Sequence, residues 1–223
     1  MPASHTPRFA DRRDAGRRLA AALRHLRGEA PVILALPRGG VPVGYEVARA
    51  LDAPLDILIV RKIGAPGNPE FGLGAVVDGP DAATVLDESL VRLAAPPPGY
   101  MEAEIGRQAQ EITRRRGLYA PARPRVPLSG RCVVMVDDGI ATGGTARAAL
   151  RALGRQAPAR LVLATPVASP EAAEALRAEA DEAVFLATPA DFEAVGAFYD
   201  DFRQTEDDEV VRLLREAGGG GPA

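Results

Sequence analysis

One cysteine and two histidines are all that 223 residues offer toward covalent or metal chemistry. The single thiol, Cys132, cannot close an internal disulfide, and its place in an apolar run marks it as a buried, inert side chain. His5 and His25 have no Cys or His neighbours at ligand spacing, so no zinc site is suggested. No apolar run is long enough to span a membrane, and MPASHTPRF at the N-terminus lacks the apolar core of a signal peptide. A cytoplasmic protein is expected. A basic surplus is missing too: a net charge of −3 and a pI near 5.5 argue against a general binder of nucleic acid or membrane surfaces. Aromatics are only 4% of the chain, and they concentrate between Phe192 and Phe202.

What is present is apolar mass and a regular alternation of short strands with helices. A hydrophobic content of 47% lets the chain bury one sizeable core, so one domain is expected over residues 8–217, with tails at 1–7 and 218–223. Asp11 can cap a helix whose apolar face carries Ala15, Leu19, Ala22, Leu23 and Leu26 and which ends near Gly28. Strands are expected at Val32–Leu36, Leu55–Val60, Leu73–Val77, Cys132–Val136, Leu161–Thr165 and Ala183–Ala187. Helices follow at about Val41–Leu51, from Ser169 to about Ala178, and at Glu206–Glu216. The stretch Gly64–Glu70, GAPGNPE, has the composition of a mobile turn. Residues 79–127 read as a mainly helical insertion, an arm with a helix over Tyr100–Tyr119 whose run Arg114-Arg115-Arg116 reads as a solvated face. Strands alternating with helices imply an α/β fold with a doubly wound parallel sheet and ligands at the carboxyl ends of its strands.

The most informative stretch is CVVMVDDGIATGGTARAALRAL, residues 132–153. A buried strand ends in Asp137 and Asp138, a loop of small residues follows, and Ala146, Ala149, Leu150 and Leu153 then fall on one helical face. Ala141, Thr142, Gly143, Gly144 and Thr145 thus stand at a helix N-terminus, where unpaired backbone amides, the positive end of the helix dipole and two hydroxyls suit a phosphate. The spacing of Gly139 and Gly144 fits a Walker loop, but Thr145 stands where its lysine should be. A nucleoside triphosphatase is therefore disfavoured.

The strand, acid pair and TG-rich loop closely resemble the signature of the type I phosphoribosyltransferases, VDDGIATGGT being nearest to the adenine type, VDDLLATGGT. The resemblance implies that Asp137 and Asp138 hold the ribose hydroxyls of phosphoribosyl pyrophosphate (PRPP), and that the loop cups its 5′-phosphate. It also implies a pyrophosphate loop at Pro37-Arg38-Gly39-Gly40, with a cis non-proline peptide at Arg38-Gly39. Arg61 and Lys62 resemble the basic pair that approaches the pyrophosphate. Glu70-Phe71-Gly72 resembles the Glu-Tyr-Gly of the adenine enzymes, whose glutamate helps move a proton of the base; a solvated loop acid is the plain alternative.

Residues 188–205 are expected to contribute to a small C-terminal hood. There FEAVGAFYDDF resembles the base pocket of the hypoxanthine enzymes, which places Val195, Phe198 and Tyr199 against the base; a hydrophobic mini-core closing the sheet is the alternative. The hypoxanthine enzymes carry a further acid where Ala141 stands, and its absence leaves the general base unassigned. The resemblance therefore implies transfer of phosphoribose from PRPP to a nitrogenous base, with Mg²⁺ arriving on PRPP and no protein metal site of its own. A homodimer is compatible with this reading. A PRPP or nucleotide sensor of the same fold that has lost turnover is the rival.

Overall fold

The computed structural model describes residues 8–79, 83–119 and 125–218. Expectations for residues 1–7, 80–82, 120–124 and 219–223 lie outside the described residues. The centre is a five-stranded parallel sheet of β1 (Val32–Ala35), β2 (Leu55–Ile57), β6 (Cys132–Val136), β7 (Arg160–Val167) and β8 (Glu182–Ala187), in the order β2-β1-β6-β7-β8. Successive residues point to opposite faces, and both faces are covered, which is why these strands read as unbroken apolar runs. Ile33, Val134 and Val162 pack with α1 (Arg12–Ala22), α2 (Gly40–Leu51) and α7 (Asp207–Gly218). Val32, Val133, Met135 and Leu163 pack with α5 (Gly144–Gly154) and α6 (Pro170–Arg177). Two helix starts follow the sequence signals: Asp11 accepts from the Asp14 amide at 2.7 Å, and Ser169 accepts from the Ala172 amide at 3.0 Å. The first helix stops at Ala22, and a 3₁₀ turn over Arg24–Glu29 carries Leu26 into the core.

The chain between the second and fourth expected strands differs from its sequence reading. The run Leu55–Val60 is not one strand: β2 stops at Ile57, and β3 (Val60–Ala65) opens a second sheet, so Arg61 and Lys62 lie inside a strand. This sheet is antiparallel and ordered β3-β4-β5, with β4 at Asn68–Val77 and β5 at Ala83–Leu86. The expected mobile turn at 64–70 is instead the tip of the β3–β4 hairpin. Gly64 makes this packing possible, since a Cβ there would lie 2.7 Å from Pro69 Cα and 2.8 Å from its carbonyl oxygen. Composition marks the turn but does not reveal backbone pairing across it, hence the misreading.

After β5 come α3 (Glu88–Ala94) and α4 (Tyr100–Tyr119). The expected arm is a packed helix: Ile112 and Tyr119 are buried, and the Tyr100 hydroxyl donates to the Gly64 carbonyl at 2.9 Å. The basic run is also not a solvated face throughout. Arg116 turns inward and donates to both Asp56 oxygens at 2.9 and 2.8 Å and to Asp78 at 3.1 Å. Asp56 is the one acid in an otherwise apolar strand stretch, and a buried carboxylate needs such a partner.

Phe9 forms an isolated parallel bridge with Tyr199 and joins Phe198 and Val167 in a third, smaller core. Residues 192–202 close over the sheet through this cluster. Among the described residues, no helix is long and apolar enough to cross a membrane.

Candidate functional site

Strands β1 and β6 are neighbours, with Ala35 opposite Val136, so the loops leaving their carboxyl ends lie side by side. Their contact is close enough to dictate sequence. A Cβ on Gly39 would penetrate the Asp138 carboxylate, and one on Gly40 would lie 2.8 Å from the Val136 carbonyl oxygen and 3.0 Å from Asp137 Cα. Two glycines are therefore required where the Pro37–Gly40 loop meets the acid pair.

The first loop departs from its sequence reading in two details. The cis peptide is at Pro37-Arg38, one bond earlier than expected at Arg38-Gly39. The Gly40 amide is already engaged, donating to the Leu36 carbonyl at 3.0 Å, whereas the Gly39 amide has no acceptor among the described residues. The Arg38 guanidinium points toward the C-terminal segment, with Nη1 3.6 Å from Asp207 and 4.0 Å from Glu206. Gln204, with its amide oxygen turned to it, also accepts from Arg38.

The second loop is anchored at its base and open at its tip. Ile140 donates to the Val167 carbonyl at 2.9 Å, and the Ser169 hydroxyl donates to the Ala141 carbonyl at 2.7 Å. The amides of Ala141, Thr142 and Gly143 have no acceptor among the described residues, and those of Gly144 and Thr145 stand in the first turn of α5. Gly143 is left-handed, φ 75°, which suits glycine. Thr142 and Thr145 are exposed, so two hydroxyls stand open to solvent beside these amides at the positive end of a helix.

Asp137 and Asp138 differ in their surroundings. The Arg12 Nε donates to Asp138 Oδ2 at 2.7 Å, and the Tyr199 hydroxyl donates to the Asp138 carbonyl at 2.5 Å. Asp137 accepts the Asp138 amide at 2.9 Å. Desolvation first, and then the Asp138 charge, push the Asp137 carboxyl well above the usual Asp range. Desolvation, with the Asp138 charge second, raises the Tyr199 phenol as well. Arg12 is absent from the residues that the sequence singles out. Nothing in its local context marks it, and the 126 positions separating it from Asp138 hide the pairing.

Lys62 pairs with Glu70 at 2.9 Å across the hairpin, while the Arg61 Nε donates to Gln108 of α4 at 3.0 Å. Lys62, Glu70, Thr142, Gly144 and Thr145 share the lining of a cavity of about 410 Å³, which brings the hairpin to the open loop. Phe198 and Tyr199 are buried in the hood core, and the Tyr199 hydroxyl is engaged by the Asp138 carbonyl. Val195 remains partly exposed and rests on Gly139, where a Cβ would collide with it. Among the described residues, no group of three or more His, Cys, Asp and Glu could hold a metal ion; the acid pair is the hard-oxygen donor set at this site.

Residues 10–202 match the model of the phosphoribosyl transferase domain. Two Mycobacterium tuberculosis proteins, from strains CDC 1551 and H37Rv, are provisionally named phosphoribosyl transferases and are each 48% identical over 209 residues. The match covers 94% of this chain and 47% of theirs, so the chain spans less than half the length of these relatives. The crystal structure of TT1426 from Thermus thermophilus is 50% identical with a TM-score of 0.82, covering 94% of this chain and 98% of that one. A hypothetical protein from Neisseria gonorrhoeae, solved with bound ppGpp, shares the fold at 16% identity and a TM-score of 0.50, over 96% of each chain. With its acid pair, its open TG-rich loop and this match along most of its length, the chain belongs to the phosphoribosyl transferase family.

Proposed function

We propose that this chain transfers 5-phosphoribose from PRPP to a nitrogenous base, releasing pyrophosphate, with Mg²⁺ bound together with PRPP. The observation that carries the proposal is the packing of Gly39 against Asp138 beside a loop whose Ala141, Thr142 and Gly143 amides have no acceptor among the described residues. A diphosphate, a ribose and a 5′-phosphate require three adjoining surfaces of this chemistry. In the reaction the acceptor nitrogen forms a bond to the anomeric carbon as the bond to the pyrophosphate oxygen breaks, through an oxocarbenium-like transition state. The work of the protein is positioning and charge stabilisation.

Ala141–Thr145 hold the 5′-phosphate through amides and the Thr142 and Thr145 hydroxyls. Asp137 and Asp138 orient the ribose hydroxyls, and as hard oxygen donors they would suit a magnesium ion arriving with PRPP. Magnesium, when bound, supplies neutralising charge to the diphosphate. Arg38, the Gly39 amide, Arg61 and Lys62 meet the leaving group. Lys62 shares a cavity lining with the open loop, while Arg61 must leave Gln108 to join it. Glu70, 92% exposed at the hairpin tip, is the candidate to take the acceptor's proton, and its pairing with Lys62 must open for that role. Val195 faces the base.

The rival is a PRPP or nucleotide sensor without turnover, and the engagement of Arg38 by Gln204 and Asp207 favours it. Pyrophosphate release from PRPP with Mg²⁺, measured across purines, pyrimidines and simple amines, separates the two. Release that depends on an acceptor supports the transferase. PRPP binding without release under every acceptor would leave the sensor.

A further inference from the structure

Arg12 meets three groups at once. Its Nε donates to Asp138, its Nη1 donates to the Arg203 carbonyl at 2.7 Å, and its guanidinium carbon lies 3.9 Å from the centre of the Phe202 ring. The Arg12 and Asp138 side chains are 12% and 15% exposed, so the pair is largely removed from water. There a charge-assisted bond is strong and its loss costly. Arginine suits the position because a planar fork can donate in two directions while its face lies on an aromatic ring, which an ammonium cannot do.

Asp138 is also held from the other side. The Tyr199 hydroxyl takes its carbonyl, and the Tyr199 ring lies 4.9 Å from that of Phe202. Carboxylate and carbonyl are thus fixed by groups that belong to the hood or rest on it. Among the described residues, Asp138 is the one residue of the acid pair with a direct arginine partner, and that arginine is anchored at two points of residues 202–203.

We propose that Arg12 is a positioning residue that fixes the Asp138 carboxylate and ties its orientation to the hood, so that the base side and the ribose side of the site are mechanically joined. This rests on the assignment of Asp138 to PRPP binding made above. The test is calorimetric titration of PRPP with Mg²⁺ into the wild type, Arg12→Gln, Arg12→Lys, Asp138→Asn and the double variant Arg12→Gln/Asp138→Asn. Amide hydrogen exchange of residues 192–203 is followed in parallel.

Arg12→Gln is expected to weaken PRPP binding by about 10- to 100-fold, the range for losing a charge-assisted bond. Arg12→Lys should recover only part of that loss, since an ammonium restores the charge toward Asp138 but not the second bond to Arg203 and the ring contact with Phe202, and Arg12→Gln should add little in the Asp138→Asn background. A purely structural role would give neither the lysine rescue nor the non-additivity. Wild-type affinity in Arg12→Gln, or full additivity of the two substitutions, overturns the proposal. If the wild type itself binds no PRPP, the functional assignment fails. The clasp is then judged by exchange alone: faster exchange across 192–203 in Arg12→Gln upholds it, and unchanged exchange overturns it.

Discussion

Two pairs of acids stand among the buried strands, and they meet opposite fates. Asp56 and Asp78, 5% and 1% exposed, are matched by two arginines: Arg116 bridges both, and Arg125 donates to Asp78 at 2.6 Å. The Ile57 and Val126 amides complete Asp56 at 2.8 and 3.4 Å. Among the described residues two negative charges face two positive ones, and the cluster braces α4 and the segment after residue 124 against the sheet. Asp137 and Asp138 are adjacent in sequence and, among the described residues, have one arginine between them. The second charge is unmatched there, and burial first, then the Asp138 charge, raise the Asp137 carboxyl above its usual range. A balanced buried cluster is complete within the fold, whereas an unbalanced one at a strand end is disposed to take cations and hydroxyl donors from outside.

The largest test of this contrast removes Arg116. Among the described residues, Arg116→Ala leaves Asp56 without a charged partner and Asp78 with the more exposed Arg125, and loss of one partner of a buried pair costs about 3–5 kcal/mol. Urea unfolding followed by circular dichroism should register a loss of that order. A loss below about 1 kcal/mol, the range of a surface pair, would mean that the cluster is a solvated one and that the contrast fails.

The converse effect is expected at the other pair. The folded-state pKa of Asp137 lies above its ordinary value of 3.8, so between the two values the folded chain keeps a proton that the unfolded chain gives up. Stability contributed by this group is therefore present at low pH and falls as pH rises through that window. Asparagine carries no such penalty. Asp137→Asn should gain stability on the wild type as pH climbs above 3.8, and the gap should level off beyond the raised pKa. Unfolding across a pH series reads this, and a gap that stays flat or reverses would show that Asp137 is not frustrated. The same variant should bind PRPP poorly, which an acid kept only for folding would not explain.

The contrast between the pairs also explains what the sequence made legible. The second pair announces itself because its chemistry is contiguous: strand, two acids, glycine loop and helix follow within 22 residues, residues 132–153. The strand alternation likewise points to the parallel sheet, since the period of each element is a local property. Arg116 and Asp56 are 60 residues apart, and Arg12 and Asp138 are 126 apart. Nothing local distinguishes Arg116, mostly buried, from Arg114, which is exposed and pairs with Glu111 on the same helix. The break after Ile57 is hidden for a related reason. Leu58 and Ile59 are as apolar as the strand before them, and only the pairing of Arg61 with Val76 shows that the chain has changed sheets.

A third meeting of acid and arginine is the most exposed and carries the smallest expected effect. Arg38, the one charged side chain of the first loop, lies 3.6 Å from Asp207, and these side chains are 28% and 44% exposed. Asp207 is also the acceptor for the Tyr119 hydroxyl at 2.7 Å and stands in the first turn of α7 with Asp208 and Glu209. Asparagine preserves the acceptor for Tyr119 and removes the charge, while Asp208 and Glu209 continue to complement the helix N-terminus. If Asp207 competes with an incoming diphosphate for Arg38, Asp207→Asn should bind PRPP about two- to threefold more tightly, within the ~1 kcal/mol range of an exposed pair. The gain should shrink at high ionic strength, where the wild-type pairing is already screened. Titrations at low and high salt measure both effects. A weaker affinity in the variant would mean that Asp207 aims Arg38 at the diphosphate instead of withholding it, and would move the C-terminal helix from competitor to part of the binding surface.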